Sequence, residues 1–298
     1  MSLTLRHVSK HFYKFNAVQD VSFHLDRGEV VGFLGPNGAG KTTTMRMIAK
    51  LIRPSSGSIE CSGRLSAMIE EPSFYPYLSG YQNLEYTASL SGIPTSQIQP
   101  ALDRVGLLER QHHRVRTYSQ GMRQRLGLAR TLLGSPDVLL LDEPTNGLDP
   151  QGVAEMRDLI RAISEDGITV LLSSHILAEV EKIAPRVIII NKGVIQADGR
   201  IRELFTQLGE DGVSISFDLP EGFIEQALTM LRSQAWVQQA YQSASGVVVA
   251  RILQRDLDQV APAFTHGHIP LLGFKPDVES LEQIYLRAVA ETQQGVKA

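Results

Sequence analysis

The sequence predicts an α/β fold, and three observations carry that prediction. Aliphatic runs of strand length alternate with segments of helical spacing through the first two thirds of the chain. Such alternation builds mixed or parallel sheets with helices packed on them. A glycine-rich stretch, Gly35-Pro36-Asn37-Gly38-Ala39-Gly40-Lys41-Thr42-Thr43, joins one such run (residues 29–34) to a helical segment (residues 42–51). A second run, Val138-Leu139-Leu140-Leu141, ends in two adjacent carboxylates, Asp142 and Glu143.

The glycine-rich stretch fits G-x-x-x-x-G-K-[ST], a phosphate-cradling loop in the strand–loop–helix context that pattern requires. Its glycines bring backbone N–H groups close to phosphate oxygens. The helix that follows offers unpaired N–H groups and a partial positive charge to an anion. Lys41 is placed to reach the β- and γ-phosphates, and the Thr42 hydroxyl to complete a Mg²⁺ shell. The loop specifies a nucleoside triphosphate and leaves kinases, GTPases, motors and transport ATPases open.

The bulk numbers narrow the class. The 298 residues suggest one large or two modest domains. A hydrophobic content of 43% with 20% charged residues describes a globular protein with a substantial core. A net charge of −3 gives no global attraction to nucleic acid or an anionic membrane. The single cysteine, Cys61, forms no internal disulfide and no cysteine metal site, which fits a reducing cytosol. Aliphatic runs such as residues 138–141 and 187–190 are far shorter than the ~18 apolar residues of a membrane span. The N-terminal residues lack a signal-peptide pattern. A role at a membrane therefore requires another chain to span it.

Taken in order, residues 3–8 and 18–25 alternate apolar and polar side chains and read as strands. The segment His11-Phe12-Tyr13-Lys14-Phe15 between them reads as an aromatic loop, suited either to stacking on an adenine ring or to packing on a sheet edge. Residues 53–57 form a turn cluster, and 58–61 and 65–69 read as short strands. Residues 70–79, with two prolines and three aromatics, form an ordered loop whose aromatic surface suits a partner helix. Residues 80–90 and 96–105 carry helical spacing. His112 and His113 in the basic connector that follows are adjacent, which is not metal-ligand spacing on a helix.

Ser119 is a natural N-cap for a helix running through residue 133, and Ser119-Gln120-Gly121 at its start is a second potential anion site. Buried strands seldom finish in two carboxylates without a task for them. A Mg²⁺ near the phosphates accounts for Asp142, and a water to be activated accounts for Glu143. Residues 144–150 turn into a helix over 151–164, and residues 168–173 form a strand with His175 just past its end. Strand-end residues in parallel sheets face the ligand crevice. Residues 186–190 and 194–197 form a hairpin, and 201–208 a short helix.

The texture changes near residues 209–212, and a small α+β domain is expected over 207–298 after a first domain over 1–206. Its pattern is strand (213–219), helix (223–233), two strands (237–242 and 246–253), helix (256–265), strand (271–275) and helix (281–289), with a frayed tail at 291–298.

Together these motifs resemble the nucleotide-binding subunit of an ATP-binding cassette (ABC) transporter over residues 1 to about 205. Residues 35–43 are similar to the family's Walker A loop. Ser119-Gln120-Gly121-Met122, followed by Arg123-Gln124-Arg125, sits where the signature motif belongs. Asp142 and Glu143 match the Walker B aspartate and catalytic glutamate, Asp149 the D-loop, and His175 the switch histidine. Phe12 takes the adenine-stacking position, with Tyr13 as the alternative register. Gln120 departs from the small residue usual in the signature. Glu70 stands where the Q-loop glutamine is usual, which places a formal charge near the metal and the attacking water. The run Ile69-Glu70-Glu71-Pro72-Ser73-Phe74-Tyr75-Pro76 and the ending Ser280-Leu281-Glu282-Gln283-Ile284-Tyr285-Leu286 resemble ABC-2-type antibiotic and bacteriocin-immunity exporters.

The resemblance implies an α/β cassette with a mixed sheet core, an antiparallel β subdomain and a helical signature subdomain. It implies ATP as substrate, with Mg²⁺ held by Thr42, Asp142 and Glu70. Glu143, His175 and Lys41 are the implied catalytic groups. Phe12, residues Gly35 through Thr43, Ser119, Gly121 and Asp149 are the implied nucleotide contacts. It implies two copies, or a pair of similar cassettes, closing around ATP and driving a separate membrane-spanning permease from the cytoplasmic face, with no role for nucleic acid. The rival readings are a soluble ATPase of the same superfamily, a metabolic kinase and a non-hydrolysing ATP sensor.

Overall fold

A computed structural model describes residues 2–201, 203–204, 212–220, 222–243, 246–276 and 285. The chain divides into two compact units, residues 1–201 and 202–287.

The first unit is built on a six-stranded sheet, order β5-β6-β7-β3-β8-β9. Its strands are β3 (Val30–Leu34), β5 (Leu65–Met68), β6 (Val138–Asp142), β7 (Thr169–Ser174), β8 (Arg186–Asn191) and β9 (Val194–Arg200). The first five run parallel, and β9 returns antiparallel to β8. Every residue of β3, β6 and β7 is buried. That explains their apolar middles, since a parallel sheet is covered on both faces, while the buried polar residues Asp142, Ser173 and Ser174 fall at the strand ends. A three-stranded antiparallel sheet, order β2-β1-β4, comprises β1 (Leu3–Phe12), β2 (Phe15–Leu25) and β4 (Ser56–Cys61). Its inward residues Leu3, Leu5, Val21 and Phe23 share one core with Val31 and Phe33 of β3 and with Met45 and Ile48 of α1 (Lys41–Ile48). Arg186 ties this region at strand level: its guanidinium donates to Glu29, Asp198 and the His24 carbonyl. The Asp198 bond and the two carboxylate charges push its pKa up despite partial burial.

Three helices follow: α2 (Gly80–Ser91), α3 (Ile98–Arg104) and α4 (Gln120–Leu132). α2 starts in a complete capping box between Ser79 and Gln82. α4 lies against the end of β5 at Gly127, where a Cβ would fall 2.8 Å from Met68 Sδ and Pro72 Cγ. Two more helices, α5 (Pro150–Glu165) and α6 (Leu177–Glu181), flank β7. The mixed sheet core and the antiparallel sheet are the architecture expected of the cassette fold.

Three expectations need correction. Residues 11–15 are not a loop: β1 and β2 run through to Phe12 and Phe15, which pair across a turn at Tyr13-Lys14. Register shifts between Leu5 and His11 break the alternation that marked the strands. Helix α6 was absent from the pattern because its five residues are too few to show a helical period. Instead of one helix over 256–265 there is a 3₁₀ turn, Gln254–Gln259, and then α8 (Val260–His266).

The second unit has a four-stranded antiparallel sheet, order β11-β12-β10-β13, made of β10 (Gly212–Asp218), β11 (Val237–Gln242), β12 (Val248–Leu253) and β13 (Gly273–Pro276). Helices α7 (Ile224–Arg232) and α8 pack with it around Phe217, Leu231, Ile252 and Phe264. The expected domain joint at 206/207, most of the helix over 201–208, the C-terminal helix over 281–289 and the tail lie outside the described residues, apart from isolated positions.

Candidate nucleotide site

The phosphate loop connects β3 to α1. Gly40 occupies the N-cap of α1 with φ +107° and makes no side-chain cap, so the first-turn N–H groups have no capping side chain. Its backbone is in the left-handed region that favours glycine. A Cβ there would lie 2.6 Å from the Ala17 carbonyl oxygen. Gly40→Ala is expected to cost about 2–3 kcal/mol, seen as a fall of roughly 5–10 °C in the thermal midpoint. An unchanged midpoint by calorimetry would show that the loop relaxes freely. Pro36, Asn37 and Gly38 form the exposed lip of the loop, whereas Ala39 is buried and Thr43 half-buried.

Lys41 opens α1 and is 7% exposed. Its Nζ donates to the Gly35 carbonyl at 2.7 Å and the Pro36 carbonyl at 3.3 Å, and stands 3.6 Å from Glu143 Oε1. The Thr42 hydroxyl donates to Asp142 Oδ2 at 2.8 Å. Asp142 ends β6 and is 5% exposed. Its other oxygen accepts from Ser173 Oγ at 2.5 Å, and the same Oγ accepts the Glu143 N–H at 2.9 Å. Register explains the contact, because Asp142 pairs with Ser173 across β6 and β7. Ser173 is a site residue that sequence reasoning missed; its only signal was a hydroxyl at a strand end.

Glu143 sits one residue beyond β6 with φ +49°, a conformation non-glycine residues seldom adopt and one that clusters at functional sites. Its Oε2 meets His175 Nδ1 at 2.8 Å. His175 follows β7 directly. The ends of β3, β6 and β7 thus bring Lys41, Thr42, Asp142, Glu143, Ser173 and His175 together at the carboxyl edge of the sheet, where ligands of open α/β sheets bind.

The donor set suits Mg²⁺. Asp142 is a buried carboxylate whose contacts are two neutral hydroxyls, and among the described residues no cation pairs with it. A carboxylate and a hydroxyl within 2.8 Å supply hard oxygen donors. The described residues hold no cluster of three acidic, histidine or cysteine ligands.

The remaining positions lie around this centre. Ser119 caps α4, accepting the Met122 N–H at 3.2 Å. A Cβ on Gly121 would meet only Leu148, at 3.8 Å, so the backbone there is open to approach. Gln120 Nε2 donates to the Asn146 carbonyl at 3.4 Å. Asp149 caps α5 through the Gly152 N–H at 2.8 Å. Among the described residues no hydrogen bond or ion pair joins residues 119–122 to the phosphate loop of the same chain. Phe12 is 43% exposed with Lys10 Nζ 5.0 Å from its ring centroid, and Tyr13 is fully exposed with φ +52°. Glu70 lies two residues past β5, and its carboxylate meets the Arg46 guanidinium of α1 rather than Thr42 or Asp142. The loop over residues 70–79 is held by Asn83, which bonds both backbone groups of Tyr75, and by Arg130, which donates to the Ser73 carbonyl and covers the Phe74 ring. Burial pushes the Arg130 pKa down. Tyr75 and Tyr77 stay exposed.

This fold and site define a nucleoside triphosphatase of the phosphate-loop class. A model of the family described as ABC transporter matches residues 18–146. The chain is 35% identical over 291 residues to the uncharacterized ABC transporter ATP-binding protein YdbJ of Bacillus subtilis (strain 168), covering 93% of this chain and 92% of that one. It is 39% identical over 218 residues to the lantibiotic transport ATP-binding protein SrtF of Streptococcus pyogenes, covering 68% of this chain and 95% of that one. A solved ATP-binding subunit of an ABC transporter superposes with TM-score 0.64 at 28% identity, over 70% of this chain and 94% of the other. The chain belongs to the ABC transporter ATP-binding proteins and is an ATP-hydrolysing transporter subunit.

Proposed function

We propose that this chain binds Mg-ATP between two copies, or between itself and a similar cassette, and that the cycle drives export through a separate membrane-spanning permease. The observation that carries this reading is the Lys41–Glu143–His175 cluster beside the Thr42–Asp142 pair. The loop N–H groups from Gly35 to Thr43 and the Lys41 ammonium cradle the phosphates. Thr42 and Asp142 hold Mg²⁺, and Glu70, bound to Arg46, is the further metal or water contact in this reading. The ion supplies charge neutralisation on the transferred group. Glu143 accepts a hydrogen bond from the attacking water and polarises it, and His175 orients that carboxylate and reaches the γ-phosphate. Phe12 stacks on the adenine. Ser119 and the backbone at Gly121 cap the γ-phosphate held by the opposing copy, and Asp149 lies at the same interface. The lack of any bond between residues 119–122 and the chain's own loop supports that division between copies.

Among the described residues no helix is long and apolar enough to cross a membrane. The permease is the spanning chain in this reading, with a cytoplasmic helix against the exposed aromatics of the 70–79 loop. The subunit then works at the cytoplasmic face, bound through that partner. Similarity to a lantibiotic transport protein supports export of a peptide antibiotic. Residues 207–298 form an accessory domain in this reading, with regulation or dimer contact as its role.

Affinity purification of the tagged chain from native membranes is expected to recover a membrane-spanning chain and Mg²⁺-dependent ATPase activity. Recovery in the soluble fraction alone, with ATP turnover but no spanning partner, would overturn the transport reading.

A further inference from the structure

The acidic residue after β5 has a partner that no motif assigns. β5 and β6 are parallel neighbours, with Met68 opposite Leu141. Glu70 lies two residues past the end of β5, and Glu143 one residue past the end of β6. Both residues have left-handed backbones, φ +65° and φ +49°. Two carboxylates therefore leave adjacent strand ends at the mouth of the phosphate site. Each meets a cation from the same helix: Lys41 at the first position of α1 stands by Glu143, and Arg46 in its last turn binds Glu70. Arg46 is four residues after Thr42, so both lie on one face of α1.

Stability does not account for the outer pair. The Arg46 and Glu70 side chains are 40% and 62% exposed. Exposed pairs contribute little to folding. Electrostatics at the ligand does account for it. A triphosphate approaching this edge meets Glu143 already, and a second uncompensated carboxylate beside it would repel the same phosphates.

We propose that Arg46 is a positioning residue that holds Glu70 and cancels its charge, so that nucleotide meets a neutral pair at the end of β5. The inference rests on the nucleotide site proposed above. It makes the pair, rather than Glu70 alone, the unit that tolerates an acid at this position. Removing one member exposes the charge of the other, and removing both restores neutrality.

The test is binding of a fluorescent ATP analogue to the full chain in EDTA, where no divalent ion masks the protein charges. Arg46→Gln is expected to weaken binding about fivefold, an effect that shrinks in raised salt. Glu70→Gln, which leaves Arg46 uncompensated, is expected to tighten it by a similar factor. The double variant is expected to return within about twofold of the parent, a non-additivity that identifies a coupled pair. Arg46→Lys keeps the charge and is expected to bind as the parent does. Should Arg46→Gln not fold, Glu70→Gln against Arg46→Lys carries the same comparison. Arg46→Gln and Glu70→Gln that both bind as the parent does, or a double variant that keeps the full loss of Arg46→Gln, would overturn the role of the pair. Lys41→Ala separates the two levels. If it too binds as the parent does, the nucleotide site itself is misplaced; if it alone loses binding, only the role of Arg46 fails.

Discussion

Glu143→Gln is expected to bind Mg-ATP, to lose turnover by about 10²–10⁴-fold, and to run as a closed dimer at saturating Mg-ATP. The substitution keeps the shape of the side chain. It removes the negative charge shared by Oε1, which stands 3.6 Å from Lys41 Nζ, and Oε2, which stands 2.8 Å from His175 Nδ1. Phosphoryl transfer asks the protein chiefly for positioning and charge stabilisation, so loss of the group proposed to polarise water falls on the chemical step. Binding survives because the loop N–H groups, Lys41, Thr42 and Asp142 are untouched. With hydrolysis blocked, the proposed shared site predicts that the triphosphate stays between two copies. Size-exclusion chromatography with and without Mg-ATP reads the dimer, and phosphate release reads turnover. A variant that stays monomeric with Mg-ATP bound would refute the shared site.

Lys41→Ala carries the second large effect. The ammonium is nearly buried and is held by two carbonyl oxygens of its own loop. Charge-assisted contacts to phosphate are among the stronger hydrogen bonds. Removing one preorganised donor of this kind costs about 3–4 kcal/mol, or roughly 10²–10³-fold. The loss is expected in nucleotide affinity as well as turnover, because the proposed site sets Lys41 against the ground-state phosphates. Titration with a fluorescent nucleotide separates this outcome from that of Glu143→Gln. Affinity within tenfold of the parent would count against Lys41 as the phosphate ligand.

Short-range features of the site were legible from residue order. Ser119 announced its helix start and caps as its chemistry requires, whereas the cap that Asp149 gives α5 came from the structure. The runs that became β3 and β6 are apolar up to the strand end, and β7 carries Val170, Leu171 and Leu172 between polar ends, because both faces of that sheet are covered. β1 and β2 were only half legible, since register shifts interrupt their alternation. The five-residue helix α6 left no period to read, yet it matters to packing. A Cβ on Gly32 would fall 2.3 Å from Val180 Cγ1, so α6 sits directly on β3.

By itself the sequence determined the phosphate loop, the two carboxylates at a strand exit, the histidine after the next strand and the capped helix at residue 119. Each of these is a pattern among neighbouring residues, set by local backbone chemistry. Only the tertiary structure decided which of them touch. Thr42 meets Asp142 across 100 residues, Ser173 joins Asp142 across 31, and Arg46 reaches Glu70 across 24. Strand order and register make those contacts. Both follow from how the apolar faces bury one another over the whole domain, which no single stretch of residues contains.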